Sequence, residues 1–141
     1  MIDYNLMLEK RKRAKLKSFQ KHLNRQKAKP EYVKRELLNT VRMSNRNLNM
    51  FKYAPNNTKA HEITKFLVYM TLRDMGHDVL VEAIFENGQR ADIVDLDGER
   101  IIEILASETE AMLEKKTTSY PQCFELVRVD ANQEFKEEML L

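Results

Sequence analysis

The chain has 141 residues, enough for one domain with a hydrophobic core, and its single cysteine excludes an internal disulfide framework. No apolar run approaches the length that spans a bilayer, and the charged N-terminus has no secretory signal, so we expect a cytoplasmic protein without a membrane partner. The net charge of +2 conceals two opposed halves. Residues 1–60 carry 16 Lys and Arg against 4 acidic residues, a net +12, whereas residues 61–141 carry 8 against 18, a net −10.

This charge asymmetry predicts a basic N-terminal arm, residues 1–57, that binds a polyanion. Residues 5–28 lack Gly and Pro and carry apolar residues at helical spacing, and Pro30 marks the start of a second helix. The alternative is a solvated helical arm that docks on its own acidic domain. The side chains that we expect to bind nucleic acid, with DNA as the preferred partner, are Lys10, Arg11, Lys12, Arg13, Lys15, Lys17, Lys21 and Arg25.

The body of the protein, residues 58–141, is predicted to begin with an amphipathic helix over residues 59–75. Gly76 follows in the position that ends such a helix. Four apolar residues at positions i, i+3, i+4 and i+7 define the face that we expect to pack on the core: Ile63, Phe66, Leu67 and Met70.

Strands and a crossover helix complete the predicted body. The dipeptides Asn87-Gly88 and Asp97-Gly98 predict two hairpin turns, and a capping box at Ser107 begins the crossover helix. This helix makes the last strand parallel to the third. The strands are expected at residues 79–85, 90–96, 99–105 and 124–129. The predicted fold class is therefore α/β, a small mixed β-sheet made of a β-meander plus a parallel strand and flanked by helices.

Two carboxylates, Asp92 and Glu103, face each other across the second and third predicted strands. A two-residue turn at Asp97-Gly98 sets a register that puts their Cβ atoms about 4.5–5.5 Å apart. Like charges directly opposite are destabilising, so a divalent metal ion is the expected counter-ion among the surrounding Ile and Val. The alternative is a pair of solvated strand carboxylates.

The order of these elements and two short motifs resemble the PD-(D/E)XK nuclease superfamily. The motifs are Arg90-Ala91-Asp92-Ile93 and Ile102-Glu103-Ile104, and Tyr120-Pro121 follows them as in several branches of the superfamily, including archaeal and viral ones. The likeness covers residues 58–130 and implies a restriction-endonuclease-like or resolvase-like fold. The basic helical arm lies outside it as an N-terminal extension.

The resemblance implies a Mg²⁺- or Mn²⁺-dependent endonuclease that hydrolyses DNA phosphodiester bonds, placed in the host-cell cytoplasm if the source is viral. Asp92, Glu103 and the carbonyl of Ile104 are then the metal ligands. Glu62 takes the place of the acid on the first helix, where it holds a metal-bound water or a second ion. The alternative is that Glu62 stabilises the first turn of its helix. The sequence also allows a homodimer.

One residue departs from the superfamily pattern, because Leu105 stands where the motif has Lys. Two substitutes are available: Arg90 faces Leu105 in the predicted register, and Lys115 or Lys116 can reach the site from the next helix. Arg90 and Lys116 are therefore candidate catalytic residues. If neither replaces the motif Lys, the chain is a non-catalytic nucleic-acid-binding protein on a nuclease-like fold. A third interpretation is an assembly factor whose arm bridges protein subunits.

Overall fold

The computed structural model describes the backbone of residues 3–25 and 29–140 and the side chains of residues 3–15 and 29–140. Within these residues the chain forms the predicted α/β fold. The helices are α1 (Tyr4–Arg25), α2 (Glu31–Leu38), α3 (Lys59–Asp74) and α4 (Glu110–Thr117), and the strands are β1 (Val79–Ile84), β2 (Arg90–Asp95), β3 (Arg100–Leu105) and β4 (Glu125–Asp130). Short 3₁₀ turns lie at Met43–Asn45 and Glu137–Leu140. In the described part of the chain, no helix is both long and apolar enough to cross a membrane.

The four strands form one mixed sheet in the order β1-β2-β3-β4. The two hairpins make β1, β2 and β3 antiparallel, and β4 runs parallel to β3 after the crossover through α4. The prediction of a β-meander plus a parallel strand is therefore confirmed. Alternating residues of the strands supply two apolar clusters, one on each face of the sheet.

The turn between β2 and β3 is longer than predicted, although it keeps the predicted register. Asp95 pairs with Arg100, so four residues form the loop, and Glu99 takes the left-handed conformation with φ 53°. The side chain of Asp97 is fully buried and accepts backbone N–H bonds from two other segments of the chain. These bonds hold Asp97 in the wider loop and explain why the two-residue turn does not form.

The N-cap of helix α4 is Thr109, two residues after the predicted N-cap, Ser107. Glu108 accepts the backbone N–H groups of Ala106 and Ser107, so the chain is still turning there. Thr109 is the N-cap, and its hydroxyl accepts the N–H of Met112 at 3.2 Å. The predicted start at Ser107 is therefore wrong, whereas the C-terminal turn contains both lysines, as predicted.

The predicted apolar face of α3 points to solvent, so the prediction that it packs on the core is wrong. Ile63, Phe66, Leu67 and Met70 are each 40–50% exposed. The opposite face of α3 is buried, and it combines Val68 and Leu72 with polar side chains: His61, Glu62, Thr64 and Lys65. Lys65 pairs with Glu82 and His61 with Asp92 at the sheet, and Lys65 also pairs with Glu62 on its own helix, which compensates the burial of these charged groups.

Part of the predicted arm packs against the sheet. Leu37 and Val41 belong to the apolar cluster on one face, where Val41 forms a bridge with Phe85. On the other face, the ring of Phe51 lies 5.2 Å from that of Phe66. Residues 31–51 thus help to cover both faces of the sheet, and the division of the chain at residue 57 stays a prediction.

Candidate functional site

Asp92 and Glu103 meet where β2 and β3 separate. Over the described residues, these strands pair at three positions only, from Asp95 with Arg100 to Ile93 with Ile102. Beyond that point, the carboxylate of Asp92 accepts the N–H of Ile104 at 2.8 Å. The register predicted from the sequence thus brings the two carboxylates together, but a side chain takes the place of the next ladder bond.

Burial and mutual repulsion give the two carboxyl groups different protonation. Burial, followed by the negative charge of Asp92, raises the pKa of Glu103 to about 8. Burial also raises the pKa of Asp92, but hydrogen bonds from His61 and from Glu103 outweigh it and leave that pKa below its ordinary value. Near pH 7, Asp92 is therefore the ionised partner and Glu103 the protonated one.

Lys116 and Tyr120 bring two further polar groups to Glu103. The Lys116 Nζ atom lies 3.2 Å from one carboxyl oxygen of Glu103, and the Tyr120 hydroxyl contacts the other. The same hydroxyl donates to the backbone carbonyl of Arg90 at 2.9 Å. The Tyr120 hydroxyl therefore has two acceptors within reach, Glu103 and the Arg90 carbonyl, and its single proton is shared between them.

The two predicted substitutes for the motif Lys have different positions. Lys116 reaches the carboxylate pair from the last turn of α4. The Arg90 side chain is 61% exposed, and its Nε atom lies 3.9 Å from a carboxyl oxygen of Glu82. The structure therefore brings Lys116, rather than the guanidinium of Arg90, to the place that Leu105 leaves without a cation.

Glu62 is held in a hydrogen-bond network next to the carboxylate pair of Asp92 and Glu103. Its carboxylate accepts from Lys65 Nζ at 2.8 Å, from the N–H of Ala54 and from the side chain of Asn57. Burial raises the pKa of Glu62, but these donors and His61 keep it below its ordinary value. Both oxygens of Glu62 therefore contact protein donors, and its two predicted roles stay predictions.

His61 connects this network to Asp92. Its Nδ1 atom lies 3.2 Å from Glu62, and its Nε2 atom lies 3.4 Å from Asp92. Burial lowers the pKa of His61, but the bonds to the two carboxylates outweigh burial and leave it raised. The imidazole therefore holds Asp92 in place between α3 and the sheet.

Sequence reasoning missed Glu82 and Lys65. The Lys65 side chain is fully buried, and its Nζ atom lies 2.9 Å from Glu82. Glu82 has φ 53° in the middle of β1, a conformation that is strained for a residue with a side chain. The sequence could not have revealed Glu82, because a two-residue turn at Asn87-Gly88 would place it opposite Ile93. In the structure Ala83 pairs with Ala91, a register shifted by one residue that brings Glu82 opposite Asp92. Nothing in the apolar periodicity of α3 indicates Lys65.

The basic side chains predicted to bind nucleic acid are described only in part. Lys10, Arg11, Lys12 and Arg13 are exposed on α1. Lys15 is also exposed, and its Nζ atom lies 2.8 Å from a carboxyl oxygen of Glu138 near the other end of the chain. The side chains of three predicted residues lie outside the described part: Lys17, Lys21 and Arg25.

The carboxylate pair suits a divalent ion that binds through few protein ligands. Among the described residues, no group of three or more His, Cys, Asp or Glu side chains is arranged to hold a metal ion. Mg²⁺, however, is commonly held by one or two carboxylates together with waters and phosphate oxygens. The pair offers two carboxyl groups of that kind, and a cation between them would compensate the burial and repulsion that raise the pKa of Glu103 to about 8.

The raised pKa of Glu103 predicts how stability depends on pH without added metal. A folded-state pKa above the unfolded one stabilises the fold at low pH, and this contribution is lost as pH rises through about 8. The free energy of unfolding of the parent should therefore fall between pH 5 and pH 8.5. In Glu103→Gln, we expect this fall to be smaller by about 1–3 kcal/mol. Urea denaturation at both pH values measures this, with the exposed Glu114→Gln as the matched control. An unchanged pH dependence in Glu103→Gln would contradict the assignment.

Comparisons of the chain with models of protein families, with curated proteins and with solved structures find no match.

Proposed function

We propose that the chain is a metal-dependent endonuclease that hydrolyses DNA phosphodiester bonds on a restriction-endonuclease-like fold. The observation that carries this proposal is the ammonium group of Lys116 beside the carboxylate pair. Lys116 Nζ lies 3.2 Å from Glu103, which itself stands beside Asp92. Two acidic groups and one lysine are thereby assembled from β2, β3 and α4, although Leu105 occupies the position of the motif Lys.

Each group at the pair has a separate task. Asp92, Glu103 and the carbonyl of Ile104 are the groups that would hold Mg²⁺ or Mn²⁺. The chemistry that such an ion supplies is a water of lowered pKa and compensation of charge on the phosphate. Lys116 donates to the attacking or the non-bridging oxygen, and Tyr120 fixes the orientation of the Glu103 carboxyl group.

Metal-dependent cleavage tests the proposal directly. Supercoiled plasmid and single-stranded DNA are incubated with the purified protein in Mg²⁺, in Mn²⁺ and in EDTA. Nicking that requires the ion is the expected result. If no DNA is cut with either ion, the nuclease proposal is wrong, and a gel shift on the same DNA then separates a binding protein from an assembly factor.

A second candidate is a non-catalytic DNA-binding protein on the same fold. One observation favours it: both carboxyl oxygens of Glu103 already contact protein groups, Lys116 and Tyr120. A site closed in this way would have no affinity for divalent ions. Calorimetric titration with Mn²⁺ distinguishes the candidates, because the nuclease binds the ion and the binding protein releases no heat of binding.

The basic arm is expected to supply affinity for DNA rather than chemistry. Deleting residues 1–25 removes α1 but keeps Lys29, whose N–H donates to Asp97 at 2.8 Å. Each lost phosphate contact should make the slope of log affinity against log salt shallower by about 0.9 on duplex DNA. Fluorescence anisotropy at several salt concentrations measures the slope. An unchanged slope and affinity in the truncated protein would show that the arm has another partner.

A further inference from the structure

The exposed face of α3 is a continuous apolar stripe. Ile63, Phe66, Leu67 and Met70 lie on one side of the helix at helical spacing, and each keeps 40–50% of its surface exposed. Single exposed apolar residues are common on proteins and need no explanation, whereas these four residues form one contiguous patch along two turns of a helix. The buried face of the same helix carries charged groups, and Phe66 contacts Phe51 at the edge of the core.

The stripe is symmetric about its own centre. In an antiparallel pair of α3 helices centred between Phe66 and Leu67, Ile63 lies opposite the partner's Met70, and Phe66 lies opposite the partner's Leu67. The same register brings Lys59, at the start of the helix, opposite the partner's Asp74 at its end. Lys59 and Asp74 are both exposed, and within the described residues neither forms an ion pair.

We propose that this face of α3 is a homodimer surface, on which α3 of a second copy packs antiparallel along the stripe. A two-fold axis makes every contact occur twice, so apolar residues meet apolar residues and each Lys59 meets the partner's Asp74. The choice of a second copy rests on this charge complementarity. A single pair of helices covers less surface than the roughly 800 Å² per partner of a standard interface, so the dimer is concentration-dependent.

This dimer leaves the carboxylate site open. The side chains of α3 that approach the site, His61 and Lys65, lie on the buried face of the helix, away from the stripe. The proposal does not depend on the proposed nuclease activity, because it concerns the opposite face of α3.

Charge reversal across the predicted register gives a sharp test. Sedimentation equilibrium on the full chain is expected to show a monomer of 16.7 kDa in equilibrium with a dimer. Lys59→Asp and Asp74→Lys should each raise the dissociation constant about tenfold or more, because each creates two like-charge contacts. The double variant should return to within about threefold of the parent. Each single change places a charge that suits its own helix end, so helix destabilisation does not explain weaker association.

A matched pair of methionine variants tests the stripe. Met70→Glu should abolish the dimer, whereas Met112→Glu, at an exposed methionine of α4, should leave it intact. A protein lacking residues 1–25 should still dimerise. The proposal is overturned if the parent is monomeric at all concentrations, if the double charge reversal fails to restore association, if Met70→Glu still dimerises, or if removal of the arm abolishes the dimer.

Discussion

Asp92→Asn is expected to abolish metal-dependent DNA cleavage while preserving the fold. The asparagine carbonyl can still accept the N–H of Ile104, which Asp92 binds at 2.8 Å, so the opening between β2 and β3 keeps its shape. The substitution removes the negative charge that a divalent ion requires. Because Asp92 is the ionised member of the pair near pH 7, its loss affects ion binding most directly.

Two measurements separate loss of the site from loss of the fold. Thermal unfolding without metal should be similar in Asp92→Asn and in the parent, whereas Mn²⁺ should raise the melting temperature of the parent alone. The exposed Glu114→Gln variant is the control for a change of charge away from the site. Cleavage by purified Asp92→Asn at the parental rate would show that the ion, if any, binds elsewhere.

The position of Asp92 opposite Glu103 could be predicted because the pairing of two strands depends on whether the turn between them has an even or an odd number of residues. A turn of two or four residues leaves the same residues opposite each other, so the error in the turn at Asp97 did not alter the pairing. The β-branched Ile and Val residues on either side of the turn indicated which segments are strands. What the sequence did not show is that the ladder stops at Ile93 and that the Asp92 carboxylate replaces a backbone acceptor.

The orientation of α3 was beyond sequence reasoning, because periodicity identifies a stripe but not its neighbour. Four apolar residues predicted the buried face, yet Lys65 and Glu62 occupy it. Lys65 is tolerated there because its Nζ atom lies within 2.9 Å of two carboxylates, Glu62 and Glu82, that come from different elements. Such compensation becomes visible only when the helix and the strand are placed together.

The position of Lys116 likewise depends on tertiary structure. The sequence left Arg90 and Lys116 as alternatives, since hairpin register favoured the first and helix-end proximity the second. The crossover through α4 carries Lys116 back over β3 to within 3.2 Å of Glu103, whereas Arg90 lies nearer Glu82. The length and direction of that crossover are set by packing, which a local pattern does not encode.

Lys116→Met is expected to lower the cleavage rate by about 10²–10³-fold while ion binding is retained. Methionine keeps an aliphatic stem of similar length, so the change removes the ammonium group that lies 3.2 Å from Glu103. A preorganised donor of this kind stabilises charge that develops on the attacking hydroxide or on the phosphate. Lys115→Met is the matched control, because its side chain lies one position along α4 and is exposed.

The location of the lysine ammonium group in the site, rather than the position of the lysine in the sequence, should determine activity. Leu105→Lys in the Lys116→Met background returns a lysine to the motif position on β3, and we expect it to recover part of the lost rate. Arg90→Ala should have a smaller effect than Lys116→Met, because the guanidinium lies 3.9 Å from Glu82 and is largely exposed. Single-turnover rates under saturating Mn²⁺ compare all four variants. Equal rates for Lys116→Met and Lys115→Met would show that Lys116 is an ordinary helix-end cation. If cleavage is seen only when Leu105→Lys is introduced, the natural chain binds DNA without catalysis.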